Sequence, residues 1–209
     1  MRARSGYDDP RPAVAAVSAG RPRDARVTDA LLAAVFVELA ENGVRGLTME
    51  AVARRAGVGK SALYRRWPSK IEMTVELMRT LSVTTEPAPD TGSLAGDVAV
   101  LLDEVLAWLT DPRVRPIYPD LLAEAQRIPA LGAALMDHVG RPRRARAQIV
   151  LDRAAQRGEL ADGADRELIL DALAALVFWR VIALSRPVTP AHLQKVASLI
   201  CAMAGGTGS

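Results

Sequence analysis

One cysteine, Cys201, and two histidines, His138 and His192, are all the thiol and imidazole groups in this 209-residue chain. A lone cysteine excludes an internal disulfide and fits a reducing compartment. The histidines are far apart, and neither has the His, Cys or carboxylate spacing of a zinc site. Cys201 lies on an apolar stripe, which marks a buried structural thiol rather than a nucleophile. No glycine-rich phosphate loop follows a strand, because no convincing strand pattern appears. The expectation is therefore no catalytic residues, no metal and no cofactor. Long hydrophobic runs are also missing. The most apolar segment, Leu168 to Leu184, is interrupted by Asp171 and Arg180 and is too short and polar to span a membrane. Met1 to Pro22 has no apolar core of the kind that opens a signal peptide.

What is present is a chain that is 50% hydrophobic, ample for a core in one or two domains. Its net charge of +3 is unevenly spread. Arg21 to Val83 carries eleven Lys/Arg against seven Asp/Glu, a net +4, whereas Thr84 to Ser209 carries thirteen against fifteen, a net −2. The positive charge is concentrated where a phosphate backbone would need it.

That basic region contains Thr48 to Lys70, TMEAVARRAGVGKSALYRRWPSK. Thr48 stands at an N-cap position, and Met49, Val52, Ala53 and Ala56 follow on one helical face. Gly57 stops this helix in the left-handed conformation that glycine adopts without a Cβ penalty, and Val58 plugs the turn. A second helix spans Lys60 to Trp67. Leu63 and Trp67 share a direction and must point inward. Ser61, Ala62, Tyr64 and Arg65 then form an outward face of hydroxyl, methyl, phenol and guanidinium, groups that match base edges, a thymine methyl and phosphate oxygens. Lys60 and Arg66 flank that face toward the backbone. Pro68 ends the helix and Ser69 caps the next. The amides at that N-terminus, with the Lys70 ammonium, form an expected phosphate clamp.

The run Ala56-Gly57-Val58-Gly59-Lys60-Ser61-Ala62-Leu63-Tyr64-Arg65-Arg66-Trp67-Pro68-Ser69-Lys70 resembles the DNA-binding segment of TetR-type transcriptional regulators. Two positions depart from the family pattern. Gly59 stands where Ser often caps the recognition helix, and Ala62 where Thr is common. The resemblance implies an all-α protein. An N-terminal three-helix helix-turn-helix domain would be followed by a C-terminal helical domain for ligand binding and dimerisation, with a fourth helix joining the two.

The rest of the chain fits that outline. Residues 1–21 read as a disordered basic arm; Arg21, with Arg23 and Arg26 beyond it, would reach a minor groove or phosphates, and a tail with no contacts is the other reading, the favoured one before Arg21. Residues 22–83 form the head and the connecting helix. Its first helix runs from about Asp24 to Asn42, with Leu32, Val35, Phe36, Leu39 and Ala40 as the buried stripe and Gly43 as terminator. The breaker EPAPDTG, Glu86 to Gly92, separates off a helical body over 93–205. Asp111-Pro112 reads as a helix start. Pro116, Pro119 and Pro129 break the next stretch into short pieces, where a cavity would open between helices. A long helix after Pro142 carries Arg143, Arg144, Arg146, Arg153 and Arg157, read as a solvated face. The helix after Asp165 is apolar nearly all round and needs cover on more than one side. The last helix, capped at Thr189-Pro190, carries one stripe. Leu176, Trp179, Leu193, Val196, Ala197 and Ile200 are the expected two-fold contact with a second copy. Intrachain core is the other reading of these residues. Met73, Leu77, Trp108, Tyr118, Gln126, Phe178 and Trp179 are candidates for lining a mostly apolar cavity, and each also reads as plain core.

The expected protein is a cytoplasmic, nucleoid-associated homodimer on a near-palindromic double-stranded operator, with no membrane partner. Its two recognition helices would sit about 34–36 Å apart. A small-molecule effector in the body would move the fourth helix and release the DNA. The alternative is a DNA-binding dimer without an effector, acting as a constitutive or architectural factor.

Overall fold

The computed structural model describes residues 21–81 and 86–205, with side chains from Val27 onward. The expected arm over 1–21 lies outside these residues, save the backbone of Arg21. The described residues form ten α-helices with two short π turns and no strand. The head holds α1 (Arg21–Gly46), α2 (Met49–Ala56), α3 (Lys60–Tyr64) and α4 (Lys70–Thr80). The body holds α5 (Leu94–Thr110), α6 (Tyr118–Ala125), α7 (Pro129–Leu135), α8 (Arg141–Gln156), α9 (Arg166–Phe178) and α10 (Pro190–Met203).

Helix boundaries follow local chemistry. Thr48, Ser69, Ser93, Asp165 and Thr189 each accept a hydrogen bond from an amide of the first turn they precede, which satisfies a donor the helix cannot. Asp111 starts a run of turns rather than a helix. Its carboxylate accepts from the Arg113 amide at 2.7 Å, and the chain becomes helical only at Tyr118.

Between α7 and α8, Met136–Gly140 forms a π-helical turn. Pro142 explains it: proline has no N–H to give to the carbonyl four residues back, and its ring would clash there. The extra residue lets Arg141 N–H reach the Met136 carbonyl instead. A second π turn, Trp179–Ala183, ends α9.

The buried side chains form two clusters. One joins α1–α4 to Ile117, Leu121, Leu131, Ala134, Leu135 and Val139, so α6 and α7 are built onto the head. The other lies among α5, α8, α9 and α10. In α1 the inward stripe is Leu31, Ala34, Val35, Glu38 and Leu39, with Leu32 and Phe36 only half-buried and Ala40 exposed. This corrects the expected stripe. Glu38 shifts the phase because its buried carboxylate is needed inside, where Arg55 and Asn42 donate to it at 2.7 and 3.0 Å.

The arginines of α8 and Arg157 at its C-cap fasten the body rather than form a solvated face. Arg146 is held by Glu104 and the Pro87 carbonyl. Arg153 donates to the carbonyls of Ala88 and Pro89. Arg157 reaches the fully buried Asp97, which also accepts from the Thr91 amide and hydroxyl.

Candidate nucleic-acid interface and the body cavity

The reading head is built as its residues dictate. Gly57 takes φ 67° and ψ 28°, and the next amide, from Val58, returns to the Ala53 carbonyl at 3.0 Å. Leu63 is fully buried and Trp67 nearly so, which fixes the roll of α3. That roll leaves Ser61, Tyr64 and Arg65 exposed and Ala62 half-exposed on the outer face. The regular helix is shorter than the expected Lys60 to Trp67. Gly59 offers no capping side chain, and α3 ends at Tyr64, although the amides of Arg66 and Trp67 still bond the Leu63 carbonyl.

The flanking cations divide. Lys60 is exposed and pairs with Glu50 at 3.2 Å, a surface contact worth little. Arg66 is half-buried. Arg65 is exposed with no carboxylate partner among the described residues. Thr48 is exposed at the start of α2, its hydroxyl engaged by the Ala51 amide at 3.1 Å.

Lys70 departs from its expected place in a phosphate clamp. Its ammonium donates to the carbonyls of Val44, Arg45 and Leu47 at 2.9, 3.1 and 3.2 Å. An ammonium has three donors, and all three are used. The positive charge stands where the carbonyls ending α1 present their negative ends. Lys70 thus ties α4 to the α1–α2 junction.

Sequence reading missed the latch between head and body. Gly43 breaks α1 at φ 65° and ψ 179°. The freed Val44 amide donates to Asp120 of α6 at 2.7 Å, and Arg45 donates to Glu124 at 2.8 Å. These partners lie more than seventy residues apart, so no local pattern announced them.

Inside the body, a cavity of about 440 Å³ opens between α5, the Met136–Gly140 turn, α8 and α9. Tyr118 and Phe178 line it, as expected. Trp108 stands just behind, edge-on to Tyr118 at 4.7 Å between ring centroids. The other expected wall residues lie elsewhere. Met73 and Leu77 are buried in the head cluster because α4 turns that face to α1 and α7. Gln126 is exposed at the end of α6, and Trp179 is exposed beyond α9.

The cavity's unexpected member is Arg143. Its guanidinium lies over the Trp108 ring, 4.1 Å from the centroid. Burial pushes this group down to about 10, against the opposing pull of Tyr118 and Glu104, so it stays charged at neutral pH. The same burial pushes the Tyr118 phenol up, which keeps it a neutral donor. The signal in the sequence was Pro142, whose π turn rotates the start of α8 toward the cavity.

The expected assembly face is also corrected. Leu193, Val196 and Ile200 are buried against α5 in the chain's own core, and Leu176 and Ala197 are half-buried. Only Trp179 of that set is exposed, at 60%. The large apolar groups left outside on α9 and α10 are Leu168 at 55% and Leu199 at 51%.

Comparison with known proteins agrees with this architecture. Residues 31–77 match the family described as "Bacterial regulatory proteins, tetR family", and residues 88–200 match "Tetracyclin repressor-like, C-terminal domain". An uncharacterized HTH-type transcriptional regulator of Mycobacterium tuberculosis (strain ATCC 25618 / H37Rv) is 34% identical over 168 residues, covering 78% of this chain and 80% of the relative. A protein of Mycobacteroides abscessus, named as the DNA-binding transcriptional repressor TetR, is 28% identical over 181 residues, covering 86% and 92%. Among solved structures, the TetR family transcription regulator SCO0332 aligns with a TM-score of 0.59 at 27% identity, over 85% of this chain and 98% of that one. GusR of Salmonella enterica reaches a TM-score of 0.69 at 18% identity, over 90% and 98%, a likeness of fold. Regulators of this kind are DNA-binding transcription factors and not enzymes. By the match to both halves and the shared fold, the chain belongs to the TetR family.

Proposed function

We propose that the protein is a dimeric transcriptional repressor that a small molecule entering the body cavity releases from a near-palindromic operator. The carrying observation is the connection from cavity to head. Trp108, stacked under the cavity's Arg143, donates from Nε1 to the Leu81 carbonyl at the end of α4, at 2.9 Å. A ligand that moves Arg143 or Tyr118 disturbs Trp108, and Trp108 holds the helix that carries the reading head. Such a ligand stabilises the head orientation that fits DNA poorly, which is how an effector lowers affinity at a distance.

Other features support the reading. A constitutive DNA-binding dimer would have a solid body, and a 440 Å³ cavity is of ligand size. The relative from Mycobacteroides abscessus is named a repressor. The exposed Leu168, Trp179 and Leu199 offer α9 and α10 for a two-fold contact. At the DNA, Ser61, Ala62, Tyr64 and Arg65 face the groove. Lys60 and Arg66 lie beside the backbone with the Thr48 hydroxyl, and the first amides of α4 take the phosphate role expected of Lys70.

Selection of bound duplexes from a random pool tests the first half of this reading. The expected winner is a pair of inverted half-sites about one helical turn apart. A screen for compounds that release the winner tests the second half. If no compound that occupies the cavity releases the DNA, the protein is a constitutive factor.

A further inference from the structure

The cations around the cavity are unequally paired. Arg143, Arg144 and Arg146 lie on its wall with Glu104 and Asp171. The pairs are specific. Arg144 is committed to Asp171 at 2.7 Å and to Glu167. Arg146 is committed to Glu104, with a further bond to the Pro87 carbonyl. Arg143 is left without a carboxylate within ion-pair distance among the described residues, and its guanidinium rests on the face of Trp108. A cation withdrawn from water without a counterion is unfavourable, and an aromatic face compensates only in part. Arg146 also keeps its Nε donor buried and unpartnered on the same wall. The Tyr118 hydroxyl, electrostatically coupled to Arg143, has no hydrogen-bond partner among the described residues. Most of the remaining wall is apolar, including Leu101, Val105, Leu109, Val139, Leu173 and Phe178. The π turn brings these groups together, because it places Val139 and Gly140 beside Arg143 at the cavity wall.

We infer that the cavity takes an amphipathic organic acid, with its carboxylate on Arg143 and the Tyr118 hydroxyl and its hydrocarbon body against the apolar wall. A planar guanidinium with a fork of donors matches a carboxylate in two parallel bonds, so Arg143 is the specificity-determining residue. An amine of the same shape meets an unpaired like charge and is excluded. A neutral alcohol keeps the apolar contacts and loses the charge-assisted bonds. The acid also competes with Trp108 for the guanidinium, which places its head group on the first member of the chain Arg143, Trp108, Leu81. The inference rests on the reading of the cavity as the effector site, and the experiment separates the two.

Calorimetric titration of the full-length protein compares decanoate, 1-decanol and decylammonium, with 1-naphthaleneacetate as a second, rigid acid. The expected order is at least one acid above the alcohol by about tenfold or more, the value of a charge-assisted hydrogen bond in a partly buried site, and no binding of the amine. Arg143→Gln is expected to bring that acid down to the alcohol while the alcohol's affinity holds, which also shows that the variant cavity is intact. Arg143→Lys keeps the charge without the fork and retains part of the preference. Equal binding of acid and alcohol by the wild type overturns the inference. So does a preference for acid that survives Arg143→Gln, or the failure of both acids to bind. A parallel titration against the selected operator isolates the other reading. Acid that binds through Arg143 but leaves the DNA in place upholds the ligand class and removes effector release. Release of DNA by acid that is indifferent to Arg143→Gln upholds release and removes the ligand class.

Discussion

The indole of Trp108 and the carbonyl of Leu81 are joined by a 2.9 Å hydrogen bond, which ties a body helix to the last turn of the helix that carries the DNA-reading head. The residues are 27 positions apart, and the bond is partly buried. The same ring supports Arg143 on its face and Tyr118 at its edge. One side chain thus backs two residues of the cavity wall and holds the connecting helix at once.

Trp108→Phe keeps an aromatic face for Arg143 and removes the donor. The expected loss of folding stability is about 1 kcal/mol, read from urea denaturation, since the Leu81 carbonyl is left partly unpaired. Operator affinity without ligand should change little. The concentration of a releasing compound needed to free half the operator should rise, as fluorescence anisotropy of labelled DNA would report. An unchanged release midpoint would place the coupling elsewhere.

Lys70 and Arg65 are expected to behave differently. Lys70→Met should lower stability by about 1–3 kcal/mol, because three carbonyls at the end of α1 lose a charged donor. The salt dependence of DNA binding should stay near that of the wild type. Arg65→Ala should leave stability alone and relax preference at one base in each half-site by about tenfold. If Arg65→Ala instead weakens all sequences equally and flattens the salt slope by about 0.9, Arg65 is a phosphate anchor.

Gly43→Ala tests the latch between head and body. The position needs φ 65°, and a Cβ there would stand 3.0 Å from Asp120 Oδ2, tighter than an ordinary contact. A loss of about 1–2 kcal/mol is expected from the backbone conformation alone. The head should also reorient on α6, which would weaken operator binding beyond what the stability loss explains. Normal melting and normal operator affinity would show that the turn tolerates a side chain.

Leu199→Glu addresses assembly. Leu199 is 51% exposed on α10, next to the fully buried Ile200. A charge there should leave the fold intact, yield a monomer by sedimentation velocity and cost most of the operator affinity, since each half-site is then bound alone. An Ile200→Glu protein should instead fail to fold, because the charge enters the body's core. A Leu199→Glu protein that remains a dimer would move the interface off this face.

Much of the head was legible in the chain itself. The Thr48 and Ser69 caps, the Gly57 turn and the inward pair Leu63 and Trp67 depend on a few neighbouring residues and on helical phase, as do the Asp165 and Thr189 caps in the body. Both are written in sequence order, and the structure keeps them. The shortening of α3 was foreshadowed too, since Gly59 supplies no cap. The candidate cavity was legible only in part. Tyr118 and Phe178 were foreseen, whereas Met73, Leu77, Gln126 and Trp179 were assigned to a wall that other helices form.

The sequence by itself determined the capped starts of α2, α4, α9 and α10 and which face of α2 and α3 turns inward, because backbone capping and a clear amphipathic period act over a single turn. Tertiary structure decided the rest. Lys70, Arg143 and Arg146 have long flexible stems, and their partners are chosen by which distant carbonyl, ring or carboxylate folding brings within reach. The helix α9 is apolar on nearly every side, so it carries no phase that says which side meets its own core and which stays outside. Only packing against α5, α8 and α10 made that choice, leaving Leu168 and Trp179 exposed and opening the cavity on Arg143.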